Sequence, residues 1–155
     1  LPGFANALLG GWGLSGIATM STGQSVTPEV TGDISLTGTN FVRPNRIADG
    51  SLPRGERGPE RWFDKSAFVI PATGTFGNAG RGILKAPGIH NWDFTLMKNT
   101  PIGEDHRIEF RVEFFNAFNQ ANFNLPVMIV NSPEFGTLTH AKDARQIQFG
   151  LKLYY

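Results

Sequence analysis

The sequence contains no cysteine. That absence excludes disulfides, thiolate metal sites and cysteine nucleophiles together. Charge is scarce as well: 17% of the 155 residues are Asp, Glu, Lys or Arg, where a soluble domain usually carries about a quarter. The 14 basic and 13 acidic side chains leave a formal net charge of +1, which is neither the basic footprint of a nucleic-acid binder nor an acidic tail. No apolar run reaches the roughly 18 residues of a membrane-spanning helix. Nothing near Leu1 combines a basic start, an apolar core and a cleavage site, so no signal peptide is read there. A chain opening on Leu1 instead of Met is expected to have been processed or cut from something longer.

What is present is glycine, proline and phenylalanine. The 19 Gly and 10 Pro punctuate the chain too heavily for a helix bundle, and 13 Phe are too many for simple disorder. Three segments alternate with period two, the signature of strands with one apolar and one polar face. In the clearest, Ile108, Phe110, Val112 and Phe114 share one face while Arg107, Glu109, Arg111 and Glu113 share the other. In the last, Ile147, Phe149, Leu151, Leu153 and Tyr155 alternate with Gln146, Gln148, Gly150, Lys152 and Tyr154. Trp92, Phe94 and Leu96 alternate with Asp93, Thr95 and Met97, and a weaker pattern around Trp12, Leu14, Ala18 and Met20 is broken by Ile17. The expected strands cover about 11–22, 89–99, 105–118 and 144–155, with a tight turn at 99–105 and long loops over 23–87 and 119–143. Short helical turns are expected inside the first loop, for instance near Glu60 to Phe68.

Tight turns at one end of a sheet and long loops at the other form the asymmetry of an outer-membrane β-barrel. The expected fold is therefore all-β and antiparallel: about four strands of a transmembrane barrel. An open sheet cannot span lipid alone, because its edge groups lack partners, and the smallest single-chain barrels have about eight strands. The chain thus reads as a fragment of a larger barrel. The lipid-facing residues are expected to be Trp92, Phe94, Leu96, Ile108, Phe110, Val112, Phe114, Ile147, Phe149, Leu151 and Leu153. Arg107, Glu109, Arg111 and Glu113 then face the wet lumen, where alternating signs screen one another. No predicted amphipathic helix is long enough to cover the apolar stripes, as an open soluble sheet would need. The alternative is a soluble all-β binding or adhesion module whose apolar faces pack as a sandwich.

Several stretches carry a family resemblance. They include Gly11-Trp12-Gly13-Leu14-Ser15-Gly16-Ile17, Arg43-Pro44-Asn45, Trp62-Phe63 with Ala67-Phe68, and Gly74-Thr75-Phe76-Gly77-Asn78-Ala79-Gly80-Arg81. Pro87-Gly88 with Asn91-Trp92-Asp93-Phe94, the run Phe110 to Asn119, and Gln146 to Lys152 complete the ordered set. The chain resembles the C-terminal end of TonB-dependent outer-membrane transporters of the Oar-like type, which often carry a carboxypeptidase-regulatory-like domain at their N-terminus. The resemblance implies a barrel of roughly 22 strands closed by a plug, of which this chain would supply wall and outer loops. It implies a periplasmic C-terminus, contact of the Arg107 to Glu113 ladder with the plug, and coupling to TonB through the missing N-terminal part. It also implies that Tyr155 ends an insertion signal read by the barrel-assembly machinery.

Enzyme chemistry finds no constellation, and neither a cofactor nor a metal site is expected. Gly74 to Gly82 matches neither the dinucleotide fingerprint nor the Walker pattern. Ser15 lacks one glycine of the nucleophile elbow, and His90, His106 and His140 form no helical metal pair. Glu109 and Glu113 would stand about 13 Å apart at ~3.4 Å per residue, beyond a glycosidase pair's ~5–9.5 Å. Arg43, Asn45 and Arg81, with Arg54, Arg57 and Arg61, are the candidates for meeting an acidic or chelated ligand in the first loop.

Overall fold

The computed structural model of the chain describes residue 5 and residues 8–155. Four long strands form one sheet: β1 Trp12–Ser21, β2 Ile89–Ile102, β3 His106–Phe115 and β4 Gln146–Tyr154, in that spatial order. The β2/β3 and β3/β4 pairs are antiparallel. Gly11 O accepts from Asn99 N at 2.8 Å, Gly13 lies against Met97 and Gly16 against Phe94, so β1 also runs opposite to β2. The architecture is therefore all-β and antiparallel, with a sheet that is not closed into a barrel.

Two strand ends differ from the sequence expectation, each for a local reason. β2 runs on through Pro101 to Ile102, and the turn shrinks to Gly103–Asp105. Pro101 lacks an N–H, which normally bars it from a central strand. Here the amide of Asn99 points toward β1, and Pro101, two residues on, points the same way past the start of β1. No ladder bond is lost. β3 stops at Phe115 instead of reaching Phe118, because Asn116 turns left-handed at φ 48° and Asn119 does so again at φ 52°. Asn tolerates this conformation better than other side-chain-bearing residues.

The chain divides into two compact units. One holds the sheet: the segment ending at Ser21, His90–Asn122 and Asp143–Tyr155. The other comprises Thr22–Ile89 and Phe123–Lys142. These two stretches, long loops by their sequence pattern, share a core. Val26, Phe63, Ala67, Phe68, Leu84, Ala86 and Phe135 are buried together. The Phe63 ring meets the edge of Phe135 at 5.0 Å and of Phe68 at 6.1 Å between centroids. Edge-to-face aromatic pairs of this kind add to the burial of their area.

Little regular structure supports that core. Two-residue ladders join Ser25–Val26 to Leu84–Lys85, Val30–Thr31 to Phe41–Val42, and Asn45–Arg46 to Phe68–Val69. One-turn 3-10 segments lie at Arg54–Glu56 and Lys65–Ala67, the second inside the stretch expected to hold helical turns. Backbone bonds tie in the later segment: Trp62 N to Gly136 O at 2.9 Å and Val130 N to Glu29 O at 2.8 Å. Gly77 permits a close backbone crossing, since a Cβ there would lie 2.0 Å from Arg43 O. Phe63→Ala is expected to cost about 3–5 kcal/mol, the usual cost of removing a buried Phe. Hydrogen exchange should rise over 22–89 and 123–142 and leave β2–β3 protected.

Candidate functional site

The register sorts the sheet into two faces. Across β2, β3 and β4 the apolar rows are Phe94–Phe114–Ile147, Leu96–Val112–Phe149, Lys98–Phe110–Leu151 and Thr100–Ile108–Leu153. All eleven residues expected on one face share it, with Trp92 continuing β2 past Phe94. Aromatic contacts run along it. Phe110 stacks on Phe149 at 6.4 Å, Trp92 on Phe94 at 6.3 Å, and the Phe118 ring stands edge-on to both Trp92 and Phe94. A Cβ at Gly16 would lie 2.8 Å from the Phe94 ring, so glycine lets that ring rest over β1. Val112 is buried, whereas Leu14, Phe149 and Leu151 stay 74%, 68% and 75% exposed. A continuous exposed apolar sheet face of this kind marks a surface made for a partner or for lipid.

Lys98 is the exception that sequence reasoning missed. The apolar alternation of β2 runs through Leu96, and the next residue of that face is a lysine. Its Nζ donates to Gly10 O and stands 5.4 Å from the Trp12 ring centroid. A lysine on the lipid face of a barrel costs about 2–4 kcal/mol at the bilayer midplane and about 0–1 kcal/mol near the interface.

The opposite face carries the charges. Arg111 bridges Glu109 at 3.0 Å and Glu113 at 3.6 Å. Arg107 lies 4.0 Å and Lys152 Nζ 4.5 Å from the Tyr154 ring centroid, and Tyr154 OH donates to Glu109 Oε2 at 3.3 Å. Gly150 stands opposite Arg111, so no side chain crowds the guanidinium from β4. The four residues of the ladder are thus one connected ionic and aromatic network. Its bridges are half-exposed, so each pair contributes little to stability alone.

At the end of the sheet opposite the Gly103–Asp105 turn, asparagines complete the hydrogen bonding. Buried Asn116 donates through Nδ2 to Gln120 O at 2.9 Å and Asp143 O at 3.1 Å, and its Oδ1 accepts from Gln120 N at 2.9 Å. Its own amide donates to Asp93 Oδ1 at 2.8 Å. Asn122 accepts from His90 N and donates to His90 O, doing with a side chain what a neighbouring strand does with its backbone. Asn116→Ala strands these partners and is expected to destabilise the sheet unit by about 3 kcal/mol. Urea unfolding should show the lower midpoint at unchanged slope, and Asn116→Asp, whose carboxylate turns an acceptor toward Gln120 O and Asp143 O, should recover little of the loss.

In the second unit, the expected ligand-loop residues lie on neighbouring segments. Arg43 donates to Ala79 O at 2.9 Å, Asn45 Oδ1 accepts from Asn78 N at 3.2 Å, and Arg81 follows two residues after Ala79 and is exposed. Arg43 and Asn45 therefore hold two chain segments together. Arg57 donates to Leu52 O at 2.6 Å and lies over Trp62, while Arg61 stands 3.8 Å from Asp64. Arg54 begins the first 3-10 turn. Hydrogen bonds from the Ser66 hydroxyl and amide hold the Asp64 carboxyl below its ordinary pKa against the opposing effect of burial, with a lesser contribution from the Arg61 charge. The ionised form is the one held, so this contribution is complete at neutral pH and fades as pH falls through the folded-state value. A carboxyl NMR titration should place Asp64 below an ordinary Asp, and Ser66→Ala should move it back up.

Tyr155 follows the end of β4 and is 95% exposed. Among the described residues no three His, Asp or Glu side chains gather as a metal site, and no helix is long and apolar enough to cross a membrane, which leaves crossing by strands open. A family model described as "Outer membrane beta barrel domain" matches residues 2–148. No curated protein and no solved structure matches the chain. The chain belongs to the outer membrane beta barrel domain family, and its place is the bacterial outer membrane.

Proposed function

We propose that this outer-membrane barrel chain forms the C-terminal wall of a TonB-dependent receptor or transporter of the Oar-like type. The observation that carries the reading is the asymmetry of its connections. The three residues Gly103–Asp105 join β2 to β3, whereas both connections leaving the other end of the sheet are long and build a unit with its own core. Long, folded external connections and short periplasmic turns are how outer-membrane barrels present a ligand-capturing surface. Residues 23–87 and 119–143 are the ligand-contacting regions in this reading, with Arg43, Asn45 and Arg81 among them.

The role is passive. No bond is made or broken and no cofactor takes part. The apolar rows face lipid, and Arg107, Glu109, Arg111 and Glu113 face the lumen and a plug supplied by the parent protein. Tyr155 closes the strand that the barrel-assembly machinery reads, and TonB acts through the N-terminal part of the parent. The ordered resemblance along the chain supports the TonB-dependent type.

Because the chain has no cysteine, single cysteines report without background. In outer membranes, Leu151→Cys should resist a water-soluble maleimide while Gln148→Cys reacts. Equal labelling of the two sinks the assignment of faces. For the TonB-dependent type, the coding frame upstream of Leu1 should continue into further alternating strands and a plug; a start codon with a signal peptide directly before Leu1 contradicts it.

A further inference from the structure

We propose that Lys98 and Trp12 bind the headgroup phosphate of an anionic phospholipid at the base of the sheet, beside the start of β1. The proposal rests on the apolar face being lipid-facing. Lys98 stands in the row with Phe110 and Leu151, so its side chain leaves the sheet on that face. Among the described strand residues of that face, it is the one Asp, Glu, Lys or Arg. A cation there is tolerated only where its head escapes the hydrocarbon, as long amphipathic side chains do by snorkelling.

The geometry shows the direction of escape. Gly11 faces Asn99, so β1 begins level with Lys98. The ammonium reaches past that beginning to Gly10 O and lies over the Trp12 indole at 5.4 Å. Trp12 is itself fixed, its Nε1 donating to Leu8 O at 2.9 Å. Leu8 and Leu9 next to it are 56% and 71% exposed. Apolar side chains, a tryptophan and a cation thus converge where β1 begins, while the row of Ile108 and Leu153 continues the apolar face on the neighbouring strands. Among the described residues no carboxylate pairs with Lys98. An ammonium has three donors, and Gly10 O takes one of them. A phosphate oxygen takes another, with the acyl chains along Leu14 and Leu96.

The test uses the protein in phosphatidylcholine vesicles containing either brominated phosphatidylglycerol or brominated phosphatidylcholine at equal mole fraction. Bromine quenches neighbouring indoles, and the difference between wild type and Trp12→Phe isolates Trp12. We expect Trp12 to be quenched in both vesicles, with the anionic lipid enriched about fivefold around it, the effect of one basic side chain at a membrane surface. Lys98→Gln should abolish the preference and keep the quenching, and Lys98→Arg should keep both. Equal quenching by the two lipids in the wild type overturns the site, as does a preference that survives Lys98→Gln. Should Lys98→Gln fail to fold, the wild type and Lys98→Arg decide alone. No quenching by either lipid means that Trp12 meets no lipid, and it overturns the reading of the face along with the site.

Discussion

Phe114 pairs with Phe94 on one side and with Ile147 on the other, and every other surface property of the sheet follows from that antiparallel register. A slip of one residue in either ladder would place an Arg or Glu of β3 among the phenylalanines and leucines of its neighbour. The pairing is fixed from two directions. Stacked rings such as Phe110 on Phe149 hold it from the apolar side, and the Glu109, Arg111 and Tyr154 network holds it from the other. Neither network is strong alone. Together they make the native pairing the one in which both faces are consistent.

The four strands were legible because alternation is a local signal, carried by adjacent residues such as Arg107 to Phe114. Their ends were less so. Pro101 reads as a stop unless one knows that β1 has ended beside it, and Asn116 reads as strand until its backbone angle is seen. Lys98 was illegible for a related reason: an apolar alternation marks a face by its apolar members, and a lysine on that face looks like the end of the pattern. The core of the second unit was illegible for a deeper one. Phe63, Phe68 and Phe135 have no common period, and they meet because distant segments cross in irregular backbone. Glycine and proline contents large enough to suggest loops mark, at Gly77, a crossing too close for any side chain. Among the loop residues, Arg43 and Asn45 were legible as polar candidates for a ligand, but their hydrogen bonds to Ala79 and Asn78 depend on a fold the sequence does not display.

Asparagine has a distinct task in the sheet unit. Strand ends leave backbone groups without ladder partners, and a buried group without a partner is costly. Asn116 and Asn122 each present a donor and an acceptor on one short side chain, so each can complete a backbone pattern where no strand continues. The run from Phe114 to Phe123 thereby turns the chain without leaving its end frayed.

The second unit is assembled from segments on either side of β2 and β3, and this sets an order of events. During synthesis, Phe63 and Phe68 emerge long before Phe135, the ring that completes their cluster. Contacts between residues so far apart form slowly, because loop closure must precede any gain from burial. By the time Lys142 is made, β1, β2 and β3 have already emerged. The second unit therefore cannot complete its core until Phe135 has been made. Until then its segments remain open chain, of a width that a narrow passage admits.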